Sequence, residues 1–307
     1  MKTVIIFGGS GFVGHNIIRK MAKKGFKIIV PYQRPINEAK LRLYGQVGQI
    51  IPIRFDQMDY SSMETIIKSS HAVLNLKTIW SENKKNSYNK RIYLFNKQLL
   101  NIINTSKNNI HYIFFSGLGV TTNSISDRVK NIAKTEDYII SNSDNYSIIR
   151  PGIIIGGNDV FLGRMLPIIK YSPIVPLFGK GLSKIQPVYI EDVVDACMKI
   201  INTKQKNKEI YELFGNEIFT YKSLYEYLSD CLNVKRNYIN LPYFLAMPSV
   251  YFMEKLSINI ITKDQLLLFK KDNIPTKQYK DLTNLGIESS SIKESIKNII
   301  KKYNYFA

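Results

Sequence analysis

The strongest constraint on this chain lies in its first two dozen residues. Val4-Ile5-Ile6-Phe7 is a short apolar run, and Gly8-Gly9-Ser10-Gly11-Phe12-Val13-Gly14 follows at once. Phe12, Val13, Ile17 and Met21 then recur at helical spacing as far as Lys24, and Gly25 supplies a stop. This reads as a buried strand, a glycine turn and an amphipathic helix. Glycines at 8, 11 and 14 answer three local demands: a tight strand-to-helix turn, close approach of backbone to a pyrophosphate, and close packing of helix on strand. The helix start then presents free N–H groups and the positive end of its dipole to the phosphates. The pattern predicts a dinucleotide cradle built from Gly8, Ser10, Gly11, Phe12, Val13 and Gly14.

The rest of the first half continues the alternation. Strands are expected at Thr3–Phe7, Lys27–Pro31, Ile50–Arg54, His71–Leu76, Ile110–Ser116 and Tyr146–Arg150. Helices are expected at Phe12–Lys24, Ser61–Lys68, Tyr88–Asn104 and Val129–Ser141. Strand–helix alternation argues an α/β fold with a doubly wound parallel sheet, the Rossmann fold. We expect a nucleotide-binding domain over residues 1–157 and a smaller C-terminal α+β region over 158–307, interleaved with the sheet around 186–201. Later elements are a helix from Glu191 to Ile201, a strand at Ile210–Phe214, a helix at Tyr221–Leu232 and an amphipathic helix at Ser291–Lys302.

The end of the second strand bears on the nucleotide. An acidic residue there would bind the ribose hydroxyls of NAD; here the chain runs Pro31-Tyr32-Gln33-Arg34-Pro35. Arg34 suits a 2′-phosphate, which favours NADP(H) over NAD(H). Asp56, after the third strand, is placed to accept from the adenine amino group. The net charge is +19, and most of it lies in the first 200 residues, with 27 basic and 13 acidic side chains. Basic runs stay short and no recognition motif accompanies them, so nucleic acid is not an expected partner. No run reaches the ~18 apolar residues of a spanning helix. Two cysteines, Cys197 and Cys231, exclude a disulfide scaffold and fit a reducing compartment. His15, His71 and His111 show no metal spacing, and His15 reads as a surface residue of the first helix. The apolar start is too short for a signal peptide, so the expected location is a bacterial cytoplasm.

These motifs resemble the extended and atypical short-chain dehydrogenases/reductases. The likeness is carried by the glycine loop, Asp56, Asn75, Phe114-Phe115-Ser116-Gly117, Arg150-Pro151-Gly152 with Gly156, and Pro187-Val188-Tyr189-Ile190-Glu191-Asp192-Val193. A nearer likeness is to the nucleotide-binding accessory subunit of respiratory complex I and its bacterial relatives. It rests on Pro31-Tyr32-Gln33-Arg34, Leu43–Ile50, Phe161-Leu162-Gly163-Arg164, Pro173–Pro176, Ile261-Thr262-Lys263-Asp264-Gln265 and Asp281–Ile287. The likeness implies Asn75, Ser116 and Pro151 as further cofactor contacts, with Ser116 facing the nicotinamide. It also implies an NADPH held for structure, and complex I subunits or assembly intermediates as partners.

An active short-chain dehydrogenase uses a Tyr as general acid/base and a Lys four residues later. Aligned on Ala133 and Glu136, this chain has Arg128 and Ile132 at those places. No catalytic residue is therefore assigned. Two readings stay open beside the structural one: a reductase or epimerase on a sugar-nucleotide, isoprenoid or quinone-pathway substrate, using Ser116 with Lys130, and a sensor of NADP redox state. Tyr93…Lys97 and Tyr251…Lys255 match the spacing by chance. The segment Leu241–Leu256 is apolar and aromatic, and Pro248 should keep it from forming one helix. It is either a lid on the sheet or a patch that meets a partner or membrane surface, consistent with a peripheral position on the inner membrane.

Overall fold

The computed structural model describes residues 2–33, 36–55, 60–82, 86–203, 206–255 and 261–305. The chain opens with β1 (Thr3–Phe7), α1 (Phe12–Lys23), β2 (Lys27–Tyr32), α2 (Ile36–Arg42), β3 (Ile50–Arg54), α3 (Tyr60–Lys68) and β4 (Ala72–Asn75). A π-helical segment over Asn89–Leu94 leads into α4 (Phe95–Asn104), followed by β5 (His111–Phe115), α5 (Asp127–Asn142), β6 (Tyr146–Pro151) and β7 (Ile154–Ile155). The remainder runs α6 (Val160–Tyr171), β8 (Ile174–Phe178), β9 (Lys184–Ile185), β10 (Val188–Tyr189), α7 (Ile190–Ile201), β11 (Lys208–Leu213), β12 (Phe219–Thr220), α8 (Tyr221–Cys231), β13 (Asn237–Leu241), α9 (Tyr243–Lys255), α10 (Lys263–Leu268) and α11 (Ile292–Tyr305).

Among the described residues, seven strands form one parallel sheet in the order β3-β2-β1-β4-β5-β6-β11. Its β1 and β2 are near-continuous apolar runs, TVIIF and KIIVPY, because both faces are covered. On β1, Val4 and Ile6 face Ile17, Ile18 and Met21 of α1 and Val193, Val194, Cys197 and Ile200 of α7. Ile5 and Phe7 face the opposite core, built from Met63 and Ile67 of α3, Leu99, Leu100 and Ile103 of α4, and Ile132 and Ile139 of α5. The doubly wound sheet is thus the one that the alternation predicts. The order reverses between β1 and β4, the switch point where α/β folds open a ligand crevice.

A third core joins Leu162 and Leu166 of α6, Leu224 and Leu228 of α8, and Ile292 and Ile296 of α11. Buried carboxylates tie later segments to the sheet. Glu212 on β11 accepts from the Thr276 N–H at 2.7 Å, the Thr276 hydroxyl at 3.1 Å and the Lys277 N–H at 3.3 Å. The Glu212 N–H donates to the Lys280 carbonyl at 2.8 Å, so residues 276–280 cover the outer edge of β11. Asp192 accepts from the N–H and hydroxyl of Ser290 at 2.8 and 2.7 Å. Arg150 forms a bidentate pair with buried Glu136 at 3.0 and 2.5 Å.

Three expectations change. The helix expected at Tyr88–Asn104 is π-helical over Asn89–Leu94 before it becomes α-helical. A helix, α2, occupies Ile36–Arg42 where none was expected. Pro248 does not break its segment: α9 runs through it from Tyr243 to Lys255. The proline is the sixth helical residue and removes only one ladder bond near the start, while the N–H groups of Leu245 and Ala246 both anchor on the Pro242 carbonyl at 3.1 Å.

At the opposite, N-terminal end of the strands lies a buried polar cluster. His111 Nε2 meets Ser147 Oγ at 2.9 Å, and Asn207 donates to the same oxygen at 2.8 Å and to Tyr211 Oη at 3.1 Å. Burial lowers the His111 pKa from 6.5 to about 4. Between those values the unfolded chain binds the proton and the folded one does not, so stability falls as pH drops through that window. We predict a loss of about 3 kcal/mol from this group between neutrality and pH 4, by the linkage relation. Urea unfolding of wild type and His111→Gln across that range should show a shallower pH slope in the variant; equal slopes would refute the assignment.

Candidate nucleotide site

The glycine loop sits at the C-terminal end of β1, and its shape follows from missing Cβ atoms. Gly8 has φ +79, and a Cβ there would come within 2.9 Å of the Leu76 carbonyl carbon, so the loop lies against the chain leaving β4. A Cβ on Gly14 would stand 2.5 Å from Gly9 Cα, which is how closely α1 packs on its own turn. Gly9, a position outside the expected spacing, fills the same role toward β2: its Cβ would meet Val30 Cγ1 at 2.7 Å. Gly11 is the N-cap of α1, in extended backbone with no side-chain cap, and no acidic residue follows in the first turn. The first-turn N–H groups are therefore available to an anion. Phe12 is packed beneath Gly156, where a Cβ would touch its Cζ at 2.8 Å. Val13 packs on the α1–α7 core, and Ser10 is half-buried in the turn.

The other expected contacts divide. Arg34 and Asp56 lie outside the described residues. Ser116, just past β5, donates its N–H to the Ile149 carbonyl at 2.8 Å, but its buried hydroxyl oxygen has no partner among the described residues. An orphaned hydroxyl at the mouth of the crevice fits a ligand hydrogen bond. Pro151 ends β6, and its carbonyl takes the Leu118 N–H at 3.0 Å. Asn75 is fully buried and its amide is engaged within the fold. It donates to Asn96 Oδ1 at 2.8 Å and accepts from the Lys77 N–H at 3.0 Å, while Tyr112 donates to the same Asn96 oxygen. His15 is half-buried rather than a surface residue, with its ring edge on Tyr44 at 5.3 Å and burial lowering its pKa.

Arg128 and Ile132, at the positions that the resemblance assigns to an acid–base pair, lie in and beside a closed polar cluster. Ile132 is in the sheet core. Arg128 is 8 % exposed and its guanidinium lies 3.9 Å over the Trp80 ring. It donates to the Ile79 carbonyl and to Thr78 Oγ1, both at 3.0 Å. Tyr88 donates to Asp264 Oδ2 at 2.7 Å, and Ser126 donates to the other carboxylate oxygen. Burial and the Asp264 carboxylate push the Tyr88 hydroxyl far above the tyrosine range, so it holds its proton at neutral pH. Lys130 pairs with Asp127 at 3.0 Å on an exposed helix face, and Lys134 lies over the Tyr93 ring at 3.9 Å. Neither is joined to Ser116.

Lys77 is a site residue that sequence reasoning missed. Its ammonium lies 4.4 and 4.2 Å from the Phe55 and Phe95 ring centroids, and burial lowers its pKa to about 8. Its place just after the buried β4 could have signalled it. Asp264 lies 176 residues beyond Tyr88, and nothing local to the sequence joins them. Among the described residues, no group of three or more His, Cys, Asp or Glu side chains could hold a metal ion.

Two outcomes follow. Gly14→Ala should destabilise the protein by ~1–3 kcal/mol through overpacking against Gly9 and should abolish dinucleotide binding, checked by thermal melting and calorimetric titration. Asp264→Ala removes the acceptor for Tyr88 and Ser126 and should cost ~1–3 kcal/mol in urea unfolding; a change below a few tenths would show that the tie carries little.

Comparison with known proteins agrees with this geometry. Residues 4–142 match the NAD dependent epimerase/dehydratase family. Subunit 9 of the NADH dehydrogenase [ubiquinone] 1 alpha subcomplex, mitochondrial, is 27% identical in Arabidopsis thaliana over 88% of this chain and 70% of the relative. The Dictyostelium discoideum protein of that name is 27% identical over 97% of this chain and 84% of the relative. Solved structures share the fold at low identity. The dTDP-glucose 4,6-dehydratase of Bacillus anthracis in complex with NAD has a TM-score of 0.73 at 14% identity, over 99% of this chain and 97% of that one. The NADPH-dependent quinone oxidoreductase QOR2 of Escherichia coli, complexed with NADPH, has 0.74 at 18%, over 97% and 99%. Over residues 4–142 the chain is thus similar to the NAD dependent epimerase/dehydratase family, and along nearly its whole length to alpha subcomplex subunit 9 of mitochondrial NADH dehydrogenase.

Proposed function

We propose that this protein is an NADP(H)-binding, non-catalytic accessory subunit or assembly factor of respiratory complex I. The observation that carries the reading is the pairing of an intact glycine cradle with a dismantled acid–base site. The cradle keeps its close approaches at Gly8, Gly9 and Gly14, while Arg128 is stacked on Trp80 and Ile132 is in the core. The residues fit a nicotinamide dinucleotide: open first-turn N–H groups for the phosphates and the orphaned Ser116 hydroxyl for the nicotinamide half. When bound, such a group supplies hydride chemistry; among the described residues no proton donor is joined to Ser116. A ligand that binds only the folded state stabilises it by about 2.7 kcal/mol at a hundredfold excess over Kd, so a nucleotide can serve structure without turnover.

The docking reading rests on α9 and on the named relatives. Ala246 and Val250 pack on Leu266 of α10, while Phe244 and Tyr251 are 73 and 55 % exposed. Lys270 lies 4.8 Å over the Tyr243 ring, so cationic and aromatic groups share this face, as suits an interface with an acidic partner or an anionic membrane. Among the described residues no helix is long and apolar enough to cross a membrane. The reading places the protein in a bacterial cytoplasm, peripheral on the inner membrane.

Native mass spectrometry of the undialysed protein should show NADPH retained, and Arg34→Glu should weaken NADPH at least tenfold more than NADH. An empty protein that binds neither nucleotide would refute the structural-nucleotide role; equal losses would remove Arg34 from the 2′-phosphate. Recovery only as a free protein, with no complex I subunits in a membrane pull-down, would overturn the partner assignment.

A further inference from the structure

The glycine loop stands at one end of the sheet; the opposite end carries a cleft of its own. There α1 and α7 end side by side and enclose about 880 Å³. Because α1 is twelve residues long, the cleft lies about 18 Å from the glycine loop at the other end of that helix. We propose that this cleft docks an acidic segment of a partner protein, with an apolar side chain seated between its carboxylates. The proposal goes beyond the nucleotide reading and does not depend on it.

The walls are cationic. Lys20 is in the last turn of α1, Lys24 caps that helix, and Lys199 is in the last turn of α7. Asp195 is the one carboxylate of the lining, and it pairs with Lys20 at 2.9 Å. Lys24 and Lys199 are exposed and make no salt bridge among the described residues. The negative ends of the two helix dipoles offset about half a charge each, so a positive surplus remains. Beyond the lining, Lys2 reaches Asn202 Oδ1 at 3.4 Å and Lys23 is exposed on the same last turn of α1. Glu288, next to Ile287, offsets one of these charges at most.

Beneath the lysines the floor is apolar. Phe26 and Met198 are buried, and half-buried Ile287 packs on the same core. Shape and side-chain chemistry choose the occupant. The apolar atoms lie at the bottom of a recess, where an entering side chain reaches them; a bilayer needs apolar groups that project into it. The lining holds no arginine and no exposed aromatic ring, so it lacks both the bidentate grip on phosphate and the stacking platform used for nucleic acid. Lysine ammoniums are point charges on flexible stems, suited to the carboxylates of an acidic segment. The same surplus raises the rate at which an acidic partner meets the cleft.

The test is fluorescence anisotropy of the full-length protein with a labelled ten-residue peptide of alternating glutamate and leucine. Wild type should bind it with a micromolar Kd that weakens at least tenfold between 50 and 500 mM salt. The same peptide with glutamine for glutamate should bind at least tenfold more weakly. Lys24→Glu/Lys199→Glu should cost at least tenfold in affinity. Lys297→Glu/Lys301→Glu makes the same charge change on exposed positions of α11 and should stay within twofold of wild type. All four lysines are exposed, so thermal melting should be unchanged in both variants. A cleft variant that binds like wild type, an equal loss in both variants, or no wild-type binding at 1 mM peptide would overturn the proposal. Co-sedimentation with vesicles one-third phosphatidylglycerol supplies the other arm: vesicle binding that only the cleft variant loses, with the peptide unbound, would replace the acidic segment with an anionic bilayer.

Discussion

The crevice depends on how closely α1 can approach the turn that launches it. Gly14 lies over Gly9, and Gly9 lies over Val30 and Ile18, with no room for a methyl group at either place. This contact holds α1 at the angle that aims its open N-terminus along the ends of the parallel strands. It also presses the loop against the chain leaving β4, so Leu76 and Lys77 form the opposite wall. Overpacking there would shift both walls at once, because the sheet beneath is buried on both faces and cannot yield.

The second wall has a different character. In place of an acid–base pair it carries cations and a polar lock. Asn75, Asn96 and Tyr112 hold the end of β4, and Arg128 is clamped to the segment just after it. Asp264, from the short helix α10, reaches into the sheet domain to bond Tyr88 and Ser126. α10 also supports α9 through Leu266. The nucleotide crevice and the exposed aromatic face of α9 are thereby joined through one packed cluster.

The overall charge of +19 takes on a narrower meaning in this setting. Several of the lysines are paired or solvated on helix faces, as Lys130 is with Asp127 and Lys68 with Glu64 at 2.6 Å. Lys77 and Arg128 differ because they are desolvated, Lys77 against the Phe55 and Phe95 rings and Arg128 against Trp80 beside the Asp264 carboxylate.

Much of this was legible from local pattern. Short apolar runs and period-3.6 spacing of apolar residues mark the strands and helices of the sheet, and Gly8, Gly11 and Gly14 mark the glycine turn, because short-range sterics dictate both. The replacement of a Tyr and a Lys by Arg128 and Ile132 was equally readable. The rest belongs to tertiary structure. Gly9 proved as tightly packed as Gly14 because β2 lies behind it. Pro248 sits inside a helix because one missing N–H near a helix start is outweighed by the packing of Ala246 and Val250. Lys77 became a desolvated cation only when α4 and the end of β3 brought Phe95 and Phe55 around it. Asp264 found Tyr88 across 176 residues through long-range packing that no local spacing encodes. The sequence by itself determined the glycine turn between β1 and α1 and the presence of Arg128 and Ile132 in α5, because both are local; only the tertiary structure decided that Trp80, Thr78, Ile79 and Asp264 would surround Arg128, because those neighbours come together through long-range packing.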